Sequence, residues 1–250
     1  MDAYVKIDKT ERGLATIEFF HPKHNSLPSE ILKKLAETIT AAGEDRAVKV
    51  IVLKSGGDRT FCAGASFDEL ISIDDFATGK EFFMGFARVI NACRKCPKLI
   101  IGRVQGKAVG GGVGVASAVD YCLATRFSSI KLSELNIGIG PFVVGPAVER
   151  KIGVSAMSQI TINADQFYDA EWAKSKGLFA GVYEDADSLD QAVQEMANYL
   201  LSKNPEAQKE LKTIFWENCQ DWDDLLEKRA ALSGKLVLSD YTKEILAKYT

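Results

Sequence analysis

The chain has 250 residues, enough for one large domain or for a core with a helical appendage. Hydrophobic residues make up 46% and charged residues 26%, the balance of a soluble globular protein with a full core. The formal net charge is −3 with Lys and Arg scattered, which argues against a nucleic-acid surface, and no apolar run approaches the roughly 20 residues needed to span a bilayer.

The stretch from Met1 to Lys6 has no charged leader followed by an apolar block, so a cytoplasmic address is expected. The five cysteines (Cys62, Cys93, Cys96, Cys122, Cys219) are sparse and odd in number, which suits a reducing compartment. Cys93 and Cys96 form a lone CxxC with no second pair and no His at metal-ligand spacing; structural thiols are expected, and no metal site.

Val5–Asp8 and Leu14–Phe20 alternate as strands, with Glu11-Arg12-Gly13 as the turn between them. His21 to Pro28 reads as a polar loop, and on spacing alone His21 and His24 are loop residues. Ile31, Leu32, Leu35, Ile39 and Ala42 recur at helical spacing, with Gly43 as the stop. Lys49–Lys54 is a short apolar run of the kind that forms a buried parallel strand. Phe61–Leu70 is a small-residue turn opening into a helical pattern, Phe76–Ala92 is an amphipathic helix, and Leu99–Val104 is another buried strand.

Lys107–Ala116 then carries three consecutive glycines, Gly110 to Gly112, between a strand and a small-residue helix start. Such a turn leaves backbone N–H groups unpaired and pointing one way, so it can hold an anion or an oxyanion. A tight turn packing backbone on backbone explains it equally well. The dinucleotide pattern G-x-G-x-x-G fails at Val115, and the phosphate-loop pattern fails at Ile101 and Ala108.

Tyr121–Arg126 and Ser129–Ser133 read as short strands, and Gly138–Pro146 as a loop punctuated by glycine and proline. Beyond Ala147 the pattern is helical: 147–152, 156–161, 170–176, 189–202, 205–219, 222–236 and 240–248. The chain therefore divides into an α/β core over residues 1–190 and a helical region over residues 191–250. The apolar residues of that tail, among them Trp216, Trp222 and Leu226, call for packing on the core or on a neighbouring subunit.

Five stretches, in order and spacing, resemble the crotonase (enoyl-CoA hydratase/isomerase) superfamily: His21–Leu27, Phe61–Ala65, Gly106–Gly112, Asp120 with its following strand, and Lys131–Glu134 leading into Gly138-Ile139-Gly140. The resemblance implies a crotonase (ClpP/crotonase-like) ββα superhelix core, a helical C-terminal trimerisation region, and a homo-trimer or hexamer. It implies an acyl-CoA thioester as substrate, with coenzyme A carried as part of that substrate and no separate cofactor, in fatty-acid or leucine breakdown.

By motif, the two backbone donors of the oxyanion hole are Ala65 and Gly111. Lys23, His24, Ala63, Gly64, Ser66 and Gly112 are expected along the CoA and pantetheine groove, and Lys248 near a CoA phosphate. Ser66 departs from the Asp that many members carry. Hydratases of the family hold water between two glutamates. The second is present as Glu134, whereas the first position is Gly114.

Glu134 lies among Leu132, Leu135 and Ile137, where burial would raise its pKa and suit it to proton transfer near neutrality. Without the family, a Glu at a strand end is commonly a solvent-facing or capping residue. The stretches 112–117 and 133–144 resemble a hydratase branch acting on branched, carboxylated thioesters of the 3-methylglutaconyl or carboxygeranoyl type, so hydration with a single glutamate is expected. The alternatives are a Δ3/Δ2 double-bond isomerase using the same Glu134, and a non-catalytic acyl-CoA-binding protein. Covalent dehalogenation is disfavoured, because Phe142 stands where its nucleophilic aspartate would be.

Overall fold

The computed structural model describes residues 2–248. In chain order it contains β1 (Tyr4–Lys9), β2 (Leu14–Phe20), β3 (Ser26–Leu27), α1 (Ser29–Glu44), β4 (Val50–Ser55), β5 (Thr60–Cys62) and β6 (Gly64–Ala65). There follow α2 (Phe67–Ile71), α3 (Phe76–Lys95), β7 (Leu99–Val104), β8 (Lys107–Val109), α4 (Gly111–Ala118), β9 (Tyr121–Thr125) and β10 (Ser129–Lys131). A 3-10 turn, Glu134–Ile137, leads to α5 (Gly145–Ile162), β11 (Tyr168–Asp169), α6 (Ala170–Ser175) and β12 (Gly181–Tyr183). Helices α7 (Ala186–Leu201), α8 (Pro205–Phe215), α9 (Trp222–Leu236) and α10 (Asp240–Leu246) end the described chain.

The large sheet has the order β1-β2-β4-β7-β9-β12. Only the β1–β2 hairpin is antiparallel; the other pairings are parallel. Because both faces are covered, β7 is buried along its whole length and β4 at all but one residue, which is why their sequences are apolar runs without alternation. Ile17, Phe19, Ile51, Leu53 and Ile100 pack on the side of α1, α3 and α4. Leu14, Val50, Val52 and Ile101 meet Leu189, Val193 and Ala197, an i, i+4 stripe on α7. Arg103 of β7 crosses to the Asp190 carboxylate on α7 at 2.5 Å. The boundary expected at residue 190 thus falls inside a helix that belongs to the sheet layers.

A second sheet, β11-β10-β8-β5, and the pair β3–β6 surround α4, whose residues are all buried. The segment 181–183, which falls between the helices read over 170–176 and 189–202, is the edge strand β12, because it pairs with β9. The two helices read over 147–152 and 156–161 are present within α5, parted at Gly153, where φ +75° and ψ 161° break the helix.

The C-terminal helices pack on their own core. Helix α9 lies against α3 at a close approach of backbones: a Cβ on Gly234 would sit 2.6 Å from the Lys80 nitrogen. Helix α8 is pinned by Lys212, whose buried ammonium lies 2.8 Å from the Asp120 carboxylate at the end of α4. Leu246 of α10 joins Leu70, Phe82 and Ile139 in a separate apolar cluster.

Candidate active site

Two turns meet over the start of α4. In the first, Asn25 is the anchor: it is buried, its side-chain amide donates to the Gly56 and Thr60 carbonyls at 2.9 Å, and its side-chain oxygen accepts from the His21 N–H at 2.8 Å. That holds β3 beside β6, with Leu27 opposite Ala65. The Ser66 N–H is taken by the Leu27 carbonyl at 3.0 Å. Successive N–H groups of extended backbone point to opposite edges, so the Ala65 N–H turns away from β3. Among the described residues the pair β3–β6 has no third strand, so no ladder there claims that donor.

The second turn is Val109–Gly111. Gly110 adopts φ +53° and ψ −117°, a conformation closed to residues with a Cβ, and its N–H is bonded to the Lys131 carbonyl at 2.8 Å. This delivers Gly111 as the first residue of α4, where helix N–H groups have no intrahelical partner. The turns are adjacent: a Cβ on Gly64 would lie 3.8 Å from the Gly111 nitrogen. Ala65 and Gly111 line one cavity of about 480 Å³. Two such donors facing one space are an arrangement that can stabilise an oxyanion.

Glu134 completes the arrangement as the first residue of the 3-10 turn, closed by the left-handed Gly138. Its Oε1 lies 3.0 Å from where a Cβ on Gly110 would be, one residue from the Gly111 donor. The residue is only half-buried as a whole, but its carboxylate end is enclosed, and Oε2 lacks a hydrogen-bond partner. Burial pushes its pKa from 4.5 up to about 7, against the opposing pull of the backbone N–H groups of Glu134 and Ser133.

The remaining lining is mostly apolar: Phe82, Phe83 and Phe86 of α3, and Phe142, Val143 and Val144 before α5. Position 114 is filled, not vacant. A Cβ on Gly114 would fall 2.6 Å from Val144 Cγ1, and Val144 itself lines the cavity. No carboxylate faces Glu134 from there.

Of the residues expected at the site, Ala63, Gly64, Ala65, Gly111 and Glu134 come together around the cavity. The others lie elsewhere. The Ser66 hydroxyl accepts from the Glu69 N–H at 3.3 Å and caps α2. Gly112 is buried against the Cys62 carbonyl. Lys23 is exposed and paired with Asp68; His24 borders a separate small depression with Phe20 and Arg59; Lys248 is exposed beyond α10. Val144, Phe86 and the polar side chains Lys131, Ser133 and Asn136 also line the cavity; all but Phe86 lie in the resembling stretches 131–134 and 133–144, but none was expected at the site. Phe86 had a signal of another kind, its place on the buried stripe of α3.

Comparison with known proteins shows the family and the fold. The sequence matches the family described as enoyl-CoA hydratase/isomerase over residues 9–244. It is 29% identical over 192 residues to the mitochondrial methylglutaconyl-CoA hydratase of Homo sapiens, a match covering 75% of this chain and 56% of that protein. It is 26% identical over 242 residues to the short-chain-enoyl-CoA hydratase of Clostridium acetobutylicum, covering 96% of this chain and 92% of that one. The fold superposes on an enoyl-CoA hydratase from Mycobacterium avium with a TM-score of 0.87 at 26% identity, covering 100% of this chain and 96% of the other.

Proposed function

The chain belongs to the enoyl-CoA hydratase/isomerase family, and we propose that within it this protein moves a carbon–carbon double bond of an acyl-CoA thioester by proton transfer through Glu134 alone. The observation that carries this reading is Val144, whose side chain takes the space of residue 114 and leaves Glu134 the one carboxylate on the cavity among the described residues.

The thioester oxygen accepts from the Ala65 and Gly111 N–H groups. The Glu134 carboxylate takes a proton from Cα of a 3-enoyl thioester. The electron pair delocalises into a dienolate whose oxygen bears the charge in the oxyanion hole, and Glu134 returns the proton to Cγ to give the 2-enoyl thioester. A donor of that kind contributes about 2.7–4 kcal/mol to the transition state. A carboxyl with a pKa of about 7 can both take and give the proton near neutrality.

A second reading is hydration of a branched or carboxylated enoyl thioester. It is supported by the polar strip Lys131, Ser133 and Asn136 beside Glu134 and by the name of the human relative. Chromatographic separation of the products with mass detection distinguishes the two, since the double-bond isomers share one mass and differ in retention. Conversion of a 3-enoyl-CoA to the 2-enoyl isomer at unchanged mass, lost in Glu134→Gln, supports isomerisation. A gain of about 18 Da on 3-methylglutaconyl-CoA, also lost in Glu134→Gln, overturns it in favour of hydration.

Assembly as a homo-trimer or hexamer is part of the proposal, supported by the exposed apolar side chains Val154, Ile162 and Leu232. Light scattering of the purified protein tests it: a monomer at working concentration would refute it.

A further inference from the structure

The small sheet presents one face that runs outward from the cavity. Val109 of β8 pairs with Lys131 of β10, and both line the cavity. Ile130 pairs with Tyr168, so the next rung brings Phe167 beside Lys131. Lys107, two residues before Val109, points to the same face, because side chains alternate along a strand. Burial follows that alternation: Ala108, Ile130 and Tyr168 are buried, whereas Lys107 and Phe167 are exposed and Val109 and Lys131 half-buried.

Both lysines converge on one ring. The Lys107 ammonium lies 4.8 Å from the centre of the Phe167 ring, and the Lys131 ammonium 5.2 Å from it. Neither ammonium makes an ion pair among the described residues. The nearby acid, Asp165, accepts from Asn136 at 2.9 Å. An aromatic ring attracts each cation but supplies no counter-charge. Two unpaired ammonium groups gathered on one apolar surface repel each other until an anion joins them, and charged hydrogen bonds to such an anion are strong. The cavity is too small to enclose a nucleotide-bearing carrier as well as an acyl chain, so part of any such substrate crosses its rim.

We propose that Lys107 and Lys131 form an anion-holding rim over Phe167 that receives an anionic oxygen group of the thioester substrate. The group is either a phosphate of the carrier or a carboxylate on the acyl chain. This rests on the reading of the cavity as the thioester site.

Calorimetric titration of the full chain with saturated thioesters tests it without requiring turnover. The probes are hexanoyl-CoA, hexanoyl-N-acetylcysteamine, which lacks phosphate, and adipoyl-N-acetylcysteamine, which lacks phosphate but carries a carboxylate. In the Lys107→Gln/Lys131→Gln variant, the preference for hexanoyl-CoA over hexanoyl-N-acetylcysteamine falls about tenfold or more if the rim holds phosphate. The preference for the adipoyl over the hexanoyl cysteamine ester falls instead if it holds an acyl carboxylate. Lys107→Arg/Lys131→Arg keeps both charges and retains the affected preference, which separates lost charge from lost folding. Both preferences unchanged, in a protein that binds hexanoyl-CoA, overturn the rim and leave the thioester site standing. A wild-type protein that binds none of the three overturns both.

Discussion

Val144 stands where a side chain on residue 114 would have to go. A Cβ built on Gly114 would lie 2.6 Å from Val144 Cγ1 and 2.8 Å from Val144 Cβ, with Ile90 Cδ1 at 3.5 Å. The cavity wall at Val144 is therefore hydrocarbon, and residue 114 offers no second carboxylate to a water molecule held by Glu134. Water in a site of that kind needs two or more polar partners to stay.

Restoring a glutamate at 114 on its own is expected to damage the fold before it changes the chemistry. Overpacking of a filled core costs about 1–3 kcal/mol, and an unpaired carboxylate adds to it. Gly114→Glu should lower the melting temperature, and Gly114→Glu/Val144→Gly should recover part of the loss by vacating the space. The double variant is also expected to add water to a 2-enoyl thioester faster than the wild type. A single variant as stable as the wild type would show that Val144 does not seal the position.

Glu134 has to be ionised to accept a proton, so kcat/KM should rise as pH passes upward through about 7. Glu134→Gln removes the group, and general acid–base catalysis contributes about 10²–10⁴-fold, so turnover should fall by that range with the rising limb flattened. A limb that persists unchanged in Glu134→Gln would assign the titration to another group.

The same carboxyl makes stability depend on pH. In the folded chain burial keeps the proton on Glu134 up to about pH 7, whereas the unfolded chain releases it near 4.5. Between those values the unfolded chain binds fewer protons, so this group's contribution falls as pH rises from 4.5 to 7 and is level above. The loss is at most about 3 kcal/mol. Glu134→Gln has no proton to lose and should be more stable than the wild type at pH 8 but not at pH 4. Urea unfolding at the two values reads the difference, and an equal effect at both would contradict the buried, raised carboxyl.

The parts of this site that were legible in the sequence are those carried by backbone. Gly110, Gly111 and the Ala63–Ala65 turn have small residues because chain must approach chain there, and that demand is visible at fixed positions. Glu134 was legible through the resemblance carried by Lys131–Glu134; its apolar neighbours alone were equally compatible with a solvent-facing or capping residue. Val144 was not legible, since a valine in a Pro-Phe-Val-Val run says nothing about which neighbour it touches. Ser66 is expected in the groove by resemblance, and its hydroxyl accepts from the Glu69 N–H of α2, a capping role its neighbours in sequence do not reveal. Strand β12 escaped because three residues show no periodicity, and only its parallel pairing with β9 makes it a strand.

The attachment of the C-terminal helices yields the sharpest stability prediction. Asp120 collects four donors: the Lys212 ammonium at 2.8 Å and the Ile100 N–H at 2.8 Å on Oδ2, the Trp216 indole at 3.1 Å on Oδ1, and the Lys151 ammonium at 3.0 Å on its backbone carbonyl. Lys212 also donates to the Lys98 carbonyl at 2.9 Å, and its side chain is only 3% exposed. Removing one member of a buried ion pair strands the other charge and costs about 3–5 kcal/mol, whereas replacing both can cost much less. Lys212→Met should therefore destabilise strongly, and Lys212→Met/Asp120→Asn should be less unstable than the sum of the single changes. A double-mutant cycle by urea unfolding measures the coupling. Since α8 precedes α9, whose Ser233 lines the cavity, the single Lys212→Met variant should also expose the chain beyond residue 205 to proteolysis before the core opens. Strict additivity in the cycle would mean that Asp120 and Lys212 act on the fold independently, and that the pair does not anchor the tail.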